Sequence, residues 1–324
     1  MLKRTLTLWG AALVAVLSFS SATAAPKDPF KQLDDLLPTP DAQRRASGAP
    51  GPGYWQQQAD YVIDVELDEA KNRIIGSETI TYHNNSKDTL EYLWMQLDQN
   101  LFDPKLMAHQ SRTTSGLRDQ SFNQFEGMLK AQQFDGGYKI TAVKDAAGKP
   151  LKHVIVQTMM RIIPPKPLKP GGKITFSVDW NFNIIDATKI RSRMGYEYFK
   201  EDKNHLYALA QWFPRMCAYT DVTGWQNKQY LGTGEFALEV GDYTVRITAP
   251  ADHIVASTGE LQNPEAVLTK VQRDRLAKAR NAKKPVFIVT LDEAKANEKE
   301  KAKGKKTWVY KADNVRDFAW CSSR

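Results

Sequence analysis

The side chains most able to do chemistry in this sequence are its five histidines, and their spacing excludes the common zinc sites. They are His83, His109, His153, His205 and His253. No histidine opens an H-E-x-x-H motif, and no two of them have the close spacing that most zinc sites use. The sequence therefore predicts no zinc ligands and no catalytic metal within this chain.

Other motifs of hydrolytic or phosphate chemistry are also missing from the sequence. It contains no G-x-S-x-G nucleophile elbow and no G-x-x-x-x-G-K-S/T phosphate loop. Cys217 and His205 could pair in a fold, but nothing near Cys217 predicts an activated thiolate. The acidic residues Glu91 and Asp98 are interpreted as surface residues or caps. An independent enzyme of another class therefore has no supporting motif.

The most unusual segment combines aromatic and polar side chains and runs from Leu206 to Phe236. Residues 211–230 of this segment contain Gln211, Arg215 and Asp221 together with five aromatic residues. These are Trp212, Phe213, Tyr219, Trp225 and Tyr230. Such a segment either packs as a sheet core with a structured loop or forms a surface that completes a binding cleft, since polar groups flanked by rings suit a pocket wall. The residues alone leave both interpretations open.

The positive charge of the chain, +8 in total, is concentrated between Lys270 and Lys306. Lysines and arginines in this stretch are interleaved with Asp292, Glu293 and Glu298. Alternating signs on a helix-prone stretch are typical of a solvated face, and a single aromatic residue, Phe287, lies among them, so no series of rings is available to stack on bases. The pattern predicts no nucleic-acid partner.

Residues 1–24 have the three parts of a secretory signal peptide. Lys3 and Arg4 form a basic start, residues 6–19 carry no charge, and residues 22–24 supply a small-x-small cleavage pattern. The uncharged run is shorter than the ~20 residues that a membrane span needs. We therefore expect cleavage, no remaining transmembrane anchor, and an exported chain whose charge falls from +8 to +6 with the loss of Lys3 and Arg4. In a Gram-negative source this export predicts a periplasmic protein.

After the signal peptide, six prolines in residues 25–53 predict an extended arm, and a long series of strand patterns follows. In Ala59–Leu67, alternate residues from Tyr61 onward share one face at period two, which indicates a half-buried strand. Further strands are expected at Ile74–Tyr82, Leu90–Leu97, Tyr138–Val143, Val154–Ile163, Lys173–Ile184, Leu206–Gln211, Tyr243–Ala249, Ile254–Ser257, Val286–Leu291 and Thr307–Tyr310.

Short strands separated by polar turns predict an antiparallel sheet or sandwich. The clearest helix is expected at Glu265–Ala282, with Pro264 just ahead of it and Pro285 after it. The sequence therefore predicts a mostly β protein: a large antiparallel β domain over residues 54–312 with short helical insertions.

The last residues of the chain are unusually apolar. Val315, Phe318 and Trp320 lie close to the end, where chain ends are commonly polar and loosely held, so a domain boundary is not expected there. Cys321, in the same stretch, could form a disulfide with Cys217 in an oxidising compartment. Two buried thiols suit the aromatic surroundings of both residues equally well.

Five segments of the sequence carry a likeness to a known family. The order of the segments, and a strand-rich start combined with a closing D-F-A-W sequence, make the likeness specific. The segments are PGPGYWQQQADYVIDVELDE (Pro50–Glu69), GSETITYHNNSKDTLEYLWMQLDQN (Gly76–Asn100), AQWFPRMCAYTDVTGWQN (Ala210–Asn227), GEFALEVGDYTVRITAPADHIVASTGEL (Gly234–Leu261) and WVYKADNVRDFAWCSSR (Trp308–Arg324). Together they resemble the N-terminal portion of bacterial zinc metallopeptidases of the aminopeptidase N family, the gluzincin aminopeptidases. The likeness runs from about Tyr54 to the last residue.

The resemblance implies a saddle-shaped, antiparallel β-sandwich domain, which in the family precedes a thermolysin-like catalytic domain. That catalytic domain carries a G-x-M-E-N substrate-binding motif and an H-E-x-x-H zinc motif, whose glutamate is the general base of peptide-bond hydrolysis. These parts would lie beyond Arg324, so residues 313–324 are expected to begin a truncated catalytic domain. The chain alone is then expected to be inactive and without a cofactor. The full-length protein would bind zinc and a peptide substrate.

The resemblance also assigns one site residue. Family members often carry a Q-x-E or Q-x-Q pair in the β domain, in which the glutamine lines the substrate cleft and the second residue binds the free amino group of the substrate. Gln211 matches the first position, and Phe213 occupies the second. Because a phenyl ring cannot accept a hydrogen bond from an ammonium group, the resemblance predicts either other substrates or an amine bound by another residue.

Two hypotheses of function follow. In the first, the chain is the non-catalytic N-terminal part of an exported zinc metallopeptidase, and its partner is the missing catalytic domain. In the second, it is a stand-alone β-sandwich that binds peptides or carbohydrates through the aromatic surface of residues 206–230.

Overall fold

The protein is described from a computed structural model. The structure describes residues 40–107, 121, 122, 126, 129, 133–190, 192–232, 237–299 and 301–324. The chain divides into two compact units, Met1–Gly51 and Pro52–Arg324. The predicted signal peptide, residues 1–24, lies outside the described residues. In the first unit, a reverse turn brings the backbone N–H of Arg45 within 2.9 Å of the carbonyl oxygen of Ala49.

The second unit is built mainly from β-strands. Along the chain they are β1 (Gln58–Asp68), β2 (Arg73–His83), β3 (Leu93–Gln96), β4 (Lys139–Asp145), β5 (Lys152–Val156), β6 (Met159–Ile163), β7 (Lys173–Asn183), β8 (Gly195–Phe199), β9 (Asn204–Leu209), β10 (Arg215–Met216), β11 (Tyr219–Thr220), β12 (Gly224–Trp225), β13 (Gly241–Pro250), β14 (Ile254–Ser257), β15 (Glu260–Leu261), β16 (Lys305–Val315) and β17 (Trp320–Ser323). The α-helices with described bounds are α1 (Pro264–Val267), α2 (Lys270–Ala279) and α3 (Leu291–Lys299). No helix in the described part of the chain is long and apolar enough to cross a membrane.

The largest sheet has seven strands in the order β15-β16-β13-β1-β2-β7-β4. Its neighbouring strands pair antiparallel, except that β1 and β13 run parallel. A tight 3-10 turn at Glu69–Lys71 joins β1 to β2, and the Asp68 carboxylate accepts the backbone N–H of Lys71 at 3.3 Å. The turn ends at Asn72 in the left-handed region, at φ 46°, which asparagine tolerates better than most residues.

Strand β1 shows why this sequence forms a sheet. Tyr61, Ile63, Val65 and Leu67 are all buried, and the residues between them are more exposed, as the period of two predicts. Burying one such side chain contributes roughly 1.5–3 kcal/mol. A shift of register by one residue would move the whole set into water, so the apolar pattern fixes the pairing of β1 with its neighbours.

Two four-stranded sheets pack on the buried side of the large sheet. Their orders are β10-β3-β6-β5 and β14-β17-β9-β8, and β11 and β12 form a small hairpin. Trp180 on β7 contacts Trp212, just after β9, with ring centroids 5.9 Å apart. Tyr61 on β1 accepts the backbone N–H of Met216 on β10 at 2.9 Å. The core lies between these sheets, and the predicted class, a mostly β fold with antiparallel sheets and few helices, is confirmed.

The predicted helix at Glu265–Ala282 is present as two shorter helices, α1 and α2. The break lies at Leu268, whose backbone is extended. Thr269 starts α2 with a capping box, because its hydroxyl accepts the N–H of Gln272 and the Gln272 side chain accepts the N–H of Thr269. The local cap therefore divides the predicted helix.

The strand predicted at Val286–Leu291 is wrong. Residues 285–290 form no strand, and Leu291 is the first residue of α3. The apolar, β-branched run favours a strand by composition, but Phe287 is 81% exposed and has no sheet to cover it. A capping box between Thr290 and Glu293 begins the helix instead.

The final residues of the chain belong to the sheets of the second unit. Residue 313, where a following domain was predicted to begin, lies inside β16, and β17 pairs with both β14 and β9. Phe318 and Trp320 are buried, which accounts for the apolar character of this stretch. Cys217 and Cys321 are both free, the first buried and the second exposed.

Candidate functional site

Gln211 lies in a turn directly after β9, and its backbone is held in an uncommon conformation. Its φ is +53°, in the left-handed region that residues other than glycine seldom adopt. Its carbonyl oxygen accepts the side-chain amide N–H of Gln99 at 2.7 Å and the hydroxyl of Tyr138 at 3.4 Å. Gln99 is buried, so these contacts fix the turn from inside the protein.

The turn forms part of the wall of a cavity of about 360 Å³, a volume within the range of small-ligand pockets. Pairs of neighbouring residues come from the turn after β9, from residues 237–238 ahead of β13 and from residues 316–317 after β16, and single residues from elsewhere complete the wall. The lining residues are Asp98, Arg193, Ala210, Gln211, Arg215, Tyr230, Ala237, Leu238, Arg316 and Asp317.

A buried ion cluster closes one side of this cavity. Arg215 donates from Nε and one terminal nitrogen to the same Asp98 oxygen, at 3.1 and 2.9 Å, and from the other terminal nitrogen to Asp317 at 2.7 Å. Burial alone would lower the pKa of the Arg215 guanidinium, but the two carboxylates raise that pKa overall. Burial raises the pKa of Asp98, and Arg215 opposes this effect. The cluster ties β10 to the 3-10 turn that begins at Asp98.

The interpretation of Asp98 as a surface residue or cap is therefore wrong. Asp98 is 2% exposed, and its partner Arg215 lies 117 residues further along the chain. An isolated aspartate next to a short polar stretch gives no local signal of a distant arginine. Arg215 lies in the most unusual segment of the sequence, but nothing in the sequence showed that Asp98 is the partner of Arg215.

Gln211 and Phe213 point to different parts of the protein. The side chain of Gln211 lines the cavity, and its Oε1 accepts the hydroxyl of Tyr230 at 3.4 Å. Phe213 is completely buried and packs edge-on against Tyr61, with ring centroids 5.5 Å apart. The side chain at position 213 thus supports the core, and a ligand in the cavity would meet Gln211 and not Phe213.

The five aromatic residues between positions 211 and 230 divide into two groups. Trp212, Phe213 and Tyr230 are buried, whereas Tyr219 and Trp225 are half-buried. The second group extends into a stack: Trp55 lies over Tyr219 with ring centroids 5.9 Å apart, and Tyr219 meets Trp225 edge-on at 5.1 Å. We call Trp55, Tyr219 and Trp225 the aromatic stack. Sequence reasoning missed Trp55, which is distant along the chain.

A carboxyl group lies directly beneath this stack. Glu239 is 8% exposed, and one of its oxygens accepts the backbone N–H of Tyr219 at 2.7 Å. Burial raises the pKa of Glu239 to about 7, although the Tyr219 N–H and nearby Arg316 both act to lower it. The group therefore changes charge near neutral pH beside the half-buried Tyr219.

We predict that the Tyr219 amide and the Trp225 indole NMR signals will titrate with a midpoint of about 7, the pKa of Glu239. Because this pKa is raised in the folded chain, the folded state keeps a proton that the unfolded state has lost. The free energy of unfolding should therefore fall by about 1.4 kcal/mol per pH unit as the pH rises from the ordinary glutamate pKa toward 7. Glu239→Gln should abolish the titration, and a midpoint unchanged in that variant would contradict the assignment.

A second polar cluster places a serine, a histidine and an acid in a row. Ser322 Oγ lies 2.8 Å from His253 Nδ1, and His253 Nε2 lies 3.8 Å from a carboxylate oxygen of Glu69. Ser322 and His253 are 2% and 1% exposed. In hydrolase triads the serine bonds to Nε2 and faces the substrate, so this buried arrangement with the opposite ring nitrogen is structural.

The charge of this cluster is balanced by Arg324. Its terminal nitrogens bind both oxygens of Glu69, at 2.6 and 2.5 Å, and its Nε binds Asp252 at 2.7 Å. Burial would raise the pKa of Glu69, but Arg324 and His253 lower it well below its ordinary value. The ion pairs join the first hairpin of the large sheet to the last strand.

The Cys217 thiol is not placed for chemistry, and no metal site is present among the described residues. Burial raises the pKa of the Cys217 thiol well above its ordinary value, and its sulfur lies 3.8 Å from the sulfur of Met159. A buried neutral thiol is inert. Over the described ranges, no group of three or more His, Cys, Asp or Glu side chains is placed to hold a metal ion.

No family model matches this chain, and no curated protein matches it. The solved structures similar to it include a variant of an M1 zinc metallopeptidase from Deinococcus radiodurans bound to a Tyr-Ser-Ala substrate, at 11% identity and a TM-score of 0.41 over 82% of this chain and 42% of that chain. Another is the M1 zinc metallopeptidase from the same organism, at 12% identity and a TM-score of 0.40 over 84% of this chain and 43% of that chain. The chain spans less than half of the length of these structures.

Proposed function

We propose that this chain is the N-terminal, non-catalytic portion of a zinc-dependent metallopeptidase of the aminopeptidase N type, where it supplies a scaffold and one wall of the substrate cleft. The observation that carries the proposal is the position of Gln211. The sequence resemblance assigns this residue to the cleft, and it lines a cavity of about 360 Å³ in a turn held by buried side chains. A rigid wall is what orientation of a substrate requires.

In this proposal the groups that break the peptide bond belong to the catalytic domain. Over the described residues, no group of side chains is placed to hold the zinc that the family uses. In the family, zinc polarises the scissile carbonyl and activates water. The residues of this chain would bind and orient the peptide and exclude water from one side of the cleft.

The burial of Phe213 bears on which substrates the proposed cleft accepts. The family position that binds the substrate amino group is occupied here by a ring in the core. A free amino group would then be recognised by another residue, or the enzyme would accept peptides without that feature. The proposed activity is therefore peptide hydrolysis in which the residue at position 213 does not bind the amino group of the substrate.

We also propose that the protein is exported and acts in the periplasm, or outside the cell where the source has no periplasm. The support is the arrangement of the first 24 residues, with a basic start, an uncharged run and a small-residue cleavage pattern. Separation of cells into periplasmic and cytoplasmic fractions would test this location.

The mass and metal content of the endogenous protein test the proposed function. An antibody raised against residues 54–100 would detect the protein in the source organism, and its mass would be compared with the 36.6 kDa of this sequence. A much heavier, zinc-containing peptidase is the expected result. Stoichiometric zinc with peptidase activity in the purified 324-residue chain would refute the proposal.

The aromatic stack favours a second candidate function, a stand-alone module that binds carbohydrates or peptides. Trp55, Tyr219 and Trp225 present half-buried rings, and rings with polar neighbours are common in binding surfaces. The Tyr219 hydroxyl donates to Asp88 at 2.8 Å, which gives the stack a polar border. In this function the stack, and not Gln211, would contact the ligand.

If the stack binds ligands, Trp225→Ala should weaken binding of a soluble β-1,4-glucan hexasaccharide or of a tryptic peptide mixture roughly tenfold, or ~1.4 kcal/mol. Phe287→Ala is the matched control, since Phe287 is an exposed ring away from the stack. Affinity by titration calorimetry that is the same in both variants and the parent chain would exclude this candidate.

A further inference from the structure

The segment from α1 to the start of β16 holds almost all of the net positive charge of the chain. Residues 264–306, which we call the basic segment, contain thirteen lysines and arginines and six aspartates and glutamates. Their net charge is +7, against +8 for the whole sequence. The basic segment connects β15 to β16, which lie side by side at one edge of the seven-stranded sheet. The charge is therefore local and not spread over the protein.

Only part of this charge is neutralised within the fold. Asp274 pairs with Lys270, with 2.8 Å between carboxylate and ammonium. Glu293 accepts a bond from Arg275 at 2.6 Å and one from the backbone N–H of Thr290 at 2.8 Å. Eight other bases are exposed and have no ion-pair partner in the described part of the chain: Lys278, Arg280, Lys283, Lys284, Lys295, Lys299, Lys301 and Lys303. The exposed charge of the basic segment is therefore mostly positive.

Two large apolar side chains lie exposed within this charged surface. Phe287 is 81% exposed, and Leu291, the first residue of α3, is 68% exposed. Ile288, directly after Phe287, packs against the core, and its carbonyl oxygen accepts the guanidinium of Arg275 at 3.1 Å. The backbone beside Phe287 is thus anchored to the protein while the phenyl ring faces water.

The loop ahead of Phe287 brings the two features together. Lys283 and Lys284 are both exposed, and they precede the ring by four and three residues. Basic side chains next to an exposed ring suit a bilayer of anionic lipids, because the ammonium groups are attracted to lipid phosphates and the ring enters the boundary between headgroups and acyl chains. Nucleic acid suits this surface less well, since one ring cannot stack on a series of bases.

We propose that residues 281–291 attach the protein to the surface of an anionic lipid bilayer. Lys283 and Lys284 contact the lipid phosphates, and Phe287 and Leu291 enter the interface. The other exposed bases of the basic segment add attraction that acts over about a Debye length, ~8–10 Å at moderate salt. This inference goes beyond the proposed peptidase and does not depend on it, because it concerns where the chain is held and not what it cleaves.

Sedimentation with lipid vesicles tests the attachment. One kind of vesicle contains phosphatidylglycerol and phosphatidylcholine in equal parts, and the other contains phosphatidylcholine alone. The protein would be the form expected after signal cleavage, residues 25–324, so that the uncharged run of residues 6–19 does not contribute. We expect binding to the anionic vesicles to be at least about tenfold tighter than to the neutral ones, and added salt should weaken it.

Variants of the loop identify the groups that bind. The double variant Lys283→Gln, Lys284→Gln should weaken binding to anionic vesicles roughly tenfold. Phe287→Ala should weaken it roughly fivefold, because the ring no longer enters the interface. All three side chains are exposed, so the variants are expected to fold.

Two control variants make the same changes elsewhere. Lys166→Gln with Lys169→Gln removes two exposed charges from the turn ahead of β7, which lies four strands from β16 in the large sheet. Phe122→Ala removes a phenyl ring that is 83% exposed outside the basic segment. Both controls should bind anionic vesicles as tightly as the parent chain.

Three results would overturn the inference. The first is equal binding to anionic and neutral vesicles. The second is an equal loss in the loop variants and in their controls, because the effect would then come from overall charge or overall apolar surface. The third is binding of an oligothymidylate as tight as that of anionic vesicles and unchanged by Phe287→Ala, which would assign the basic segment to nucleic acid.

Discussion

An Arg215→Met variant is expected to lose about 3–5 kcal/mol of its free energy of unfolding, because breaking a buried ion pair leaves an uncompensated charge. Arg215 is 6% exposed, and the carboxylate that it leaves, Asp98, is 2% exposed. The whole Asp98 carboxylate would then lie in the interior without a cationic partner. Urea denaturation followed by circular dichroism measures the loss.

Two further variants show whether the loss comes from the unpaired charge. Adding Asp98→Asn to Arg215→Met removes the abandoned carboxylate and should recover part of the stability. Arg246→Met breaks an ion pair with Asp64 whose side chains are 39% and 58% exposed, and exposed pairs contribute only about 0–1 kcal/mol. Equal losses in Arg215→Met and Arg246→Met would contradict the argument.

The strands of this protein could be predicted from the sequence because each one carries its own signal. In β1 and β7 the buried residues alternate with exposed ones, so the period of two is visible without knowledge of the partner strand. The parallel pairing of β1 with β13 could not be predicted in this way. Pairing depends on which strands meet in space, and 182 residues separate Asp64 from Arg246 on these two strands.

The candidate site depended on contacts of the same long range. The resemblance identified Gln211, but the groups that hold its carbonyl, Gln99 and Tyr138, lie 112 and 73 residues away. The aromatic segment was correctly identified as unusual, yet the sequence could not show that Trp212 is buried while Trp225 is half-buried. Both are tryptophans in polar surroundings, and only the packing of the sheets distinguishes them.

At Val286–Leu291 the local sequence predicted a strand, and the structure has none there. Its apolar composition favours a strand, but Thr290 and Glu293 form a capping box that starts α3. The two hydrogen bonds of the cap satisfy backbone donors at once, whereas a strand would need a free sheet edge beside it. The described structure supplies no such edge to residues 285–290.

One buried residue was not identified at all from the sequence, and it adds a second pH dependence of stability to that of Glu239. Glu78 lies on β2 between Ile63 of β1 and Val178 of β7, and it is completely buried. Neither of its side-chain oxygens has a hydrogen-bond partner in the described part of the chain. Burial raises the pKa of Glu78 well above its ordinary value of 4.5, so this carboxyl group keeps its proton to a higher pH in the folded protein than in the unfolded chain.

The raised pKa determines the sign of the pH dependence. Above the pKa of the unfolded chain, the unfolded state releases this proton and the folded state keeps it, so the free energy of unfolding falls by about 1.4 kcal/mol per pH unit. The fall continues until the pH reaches the folded pKa. The contribution of Glu78 is therefore fully present in acid and is lost as the pH rises.

Glu78→Met should remove this slope and raise the free energy of unfolding above neutral pH, by on the order of 2 kcal/mol, because an unsatisfied buried polar group is replaced by an apolar one of similar volume. Urea denaturation of variant and parent chain at several pH values between 5 and 8 would measure both effects. Glu66→Gln is the matched control, since Glu66 lies on the neighbouring strand β1 with a side chain 45% exposed. If the free energy of unfolding of the parent chain and of Glu78→Met changed with pH in parallel, the Glu78 carboxyl would have an ordinary pKa. That result would contradict the prediction.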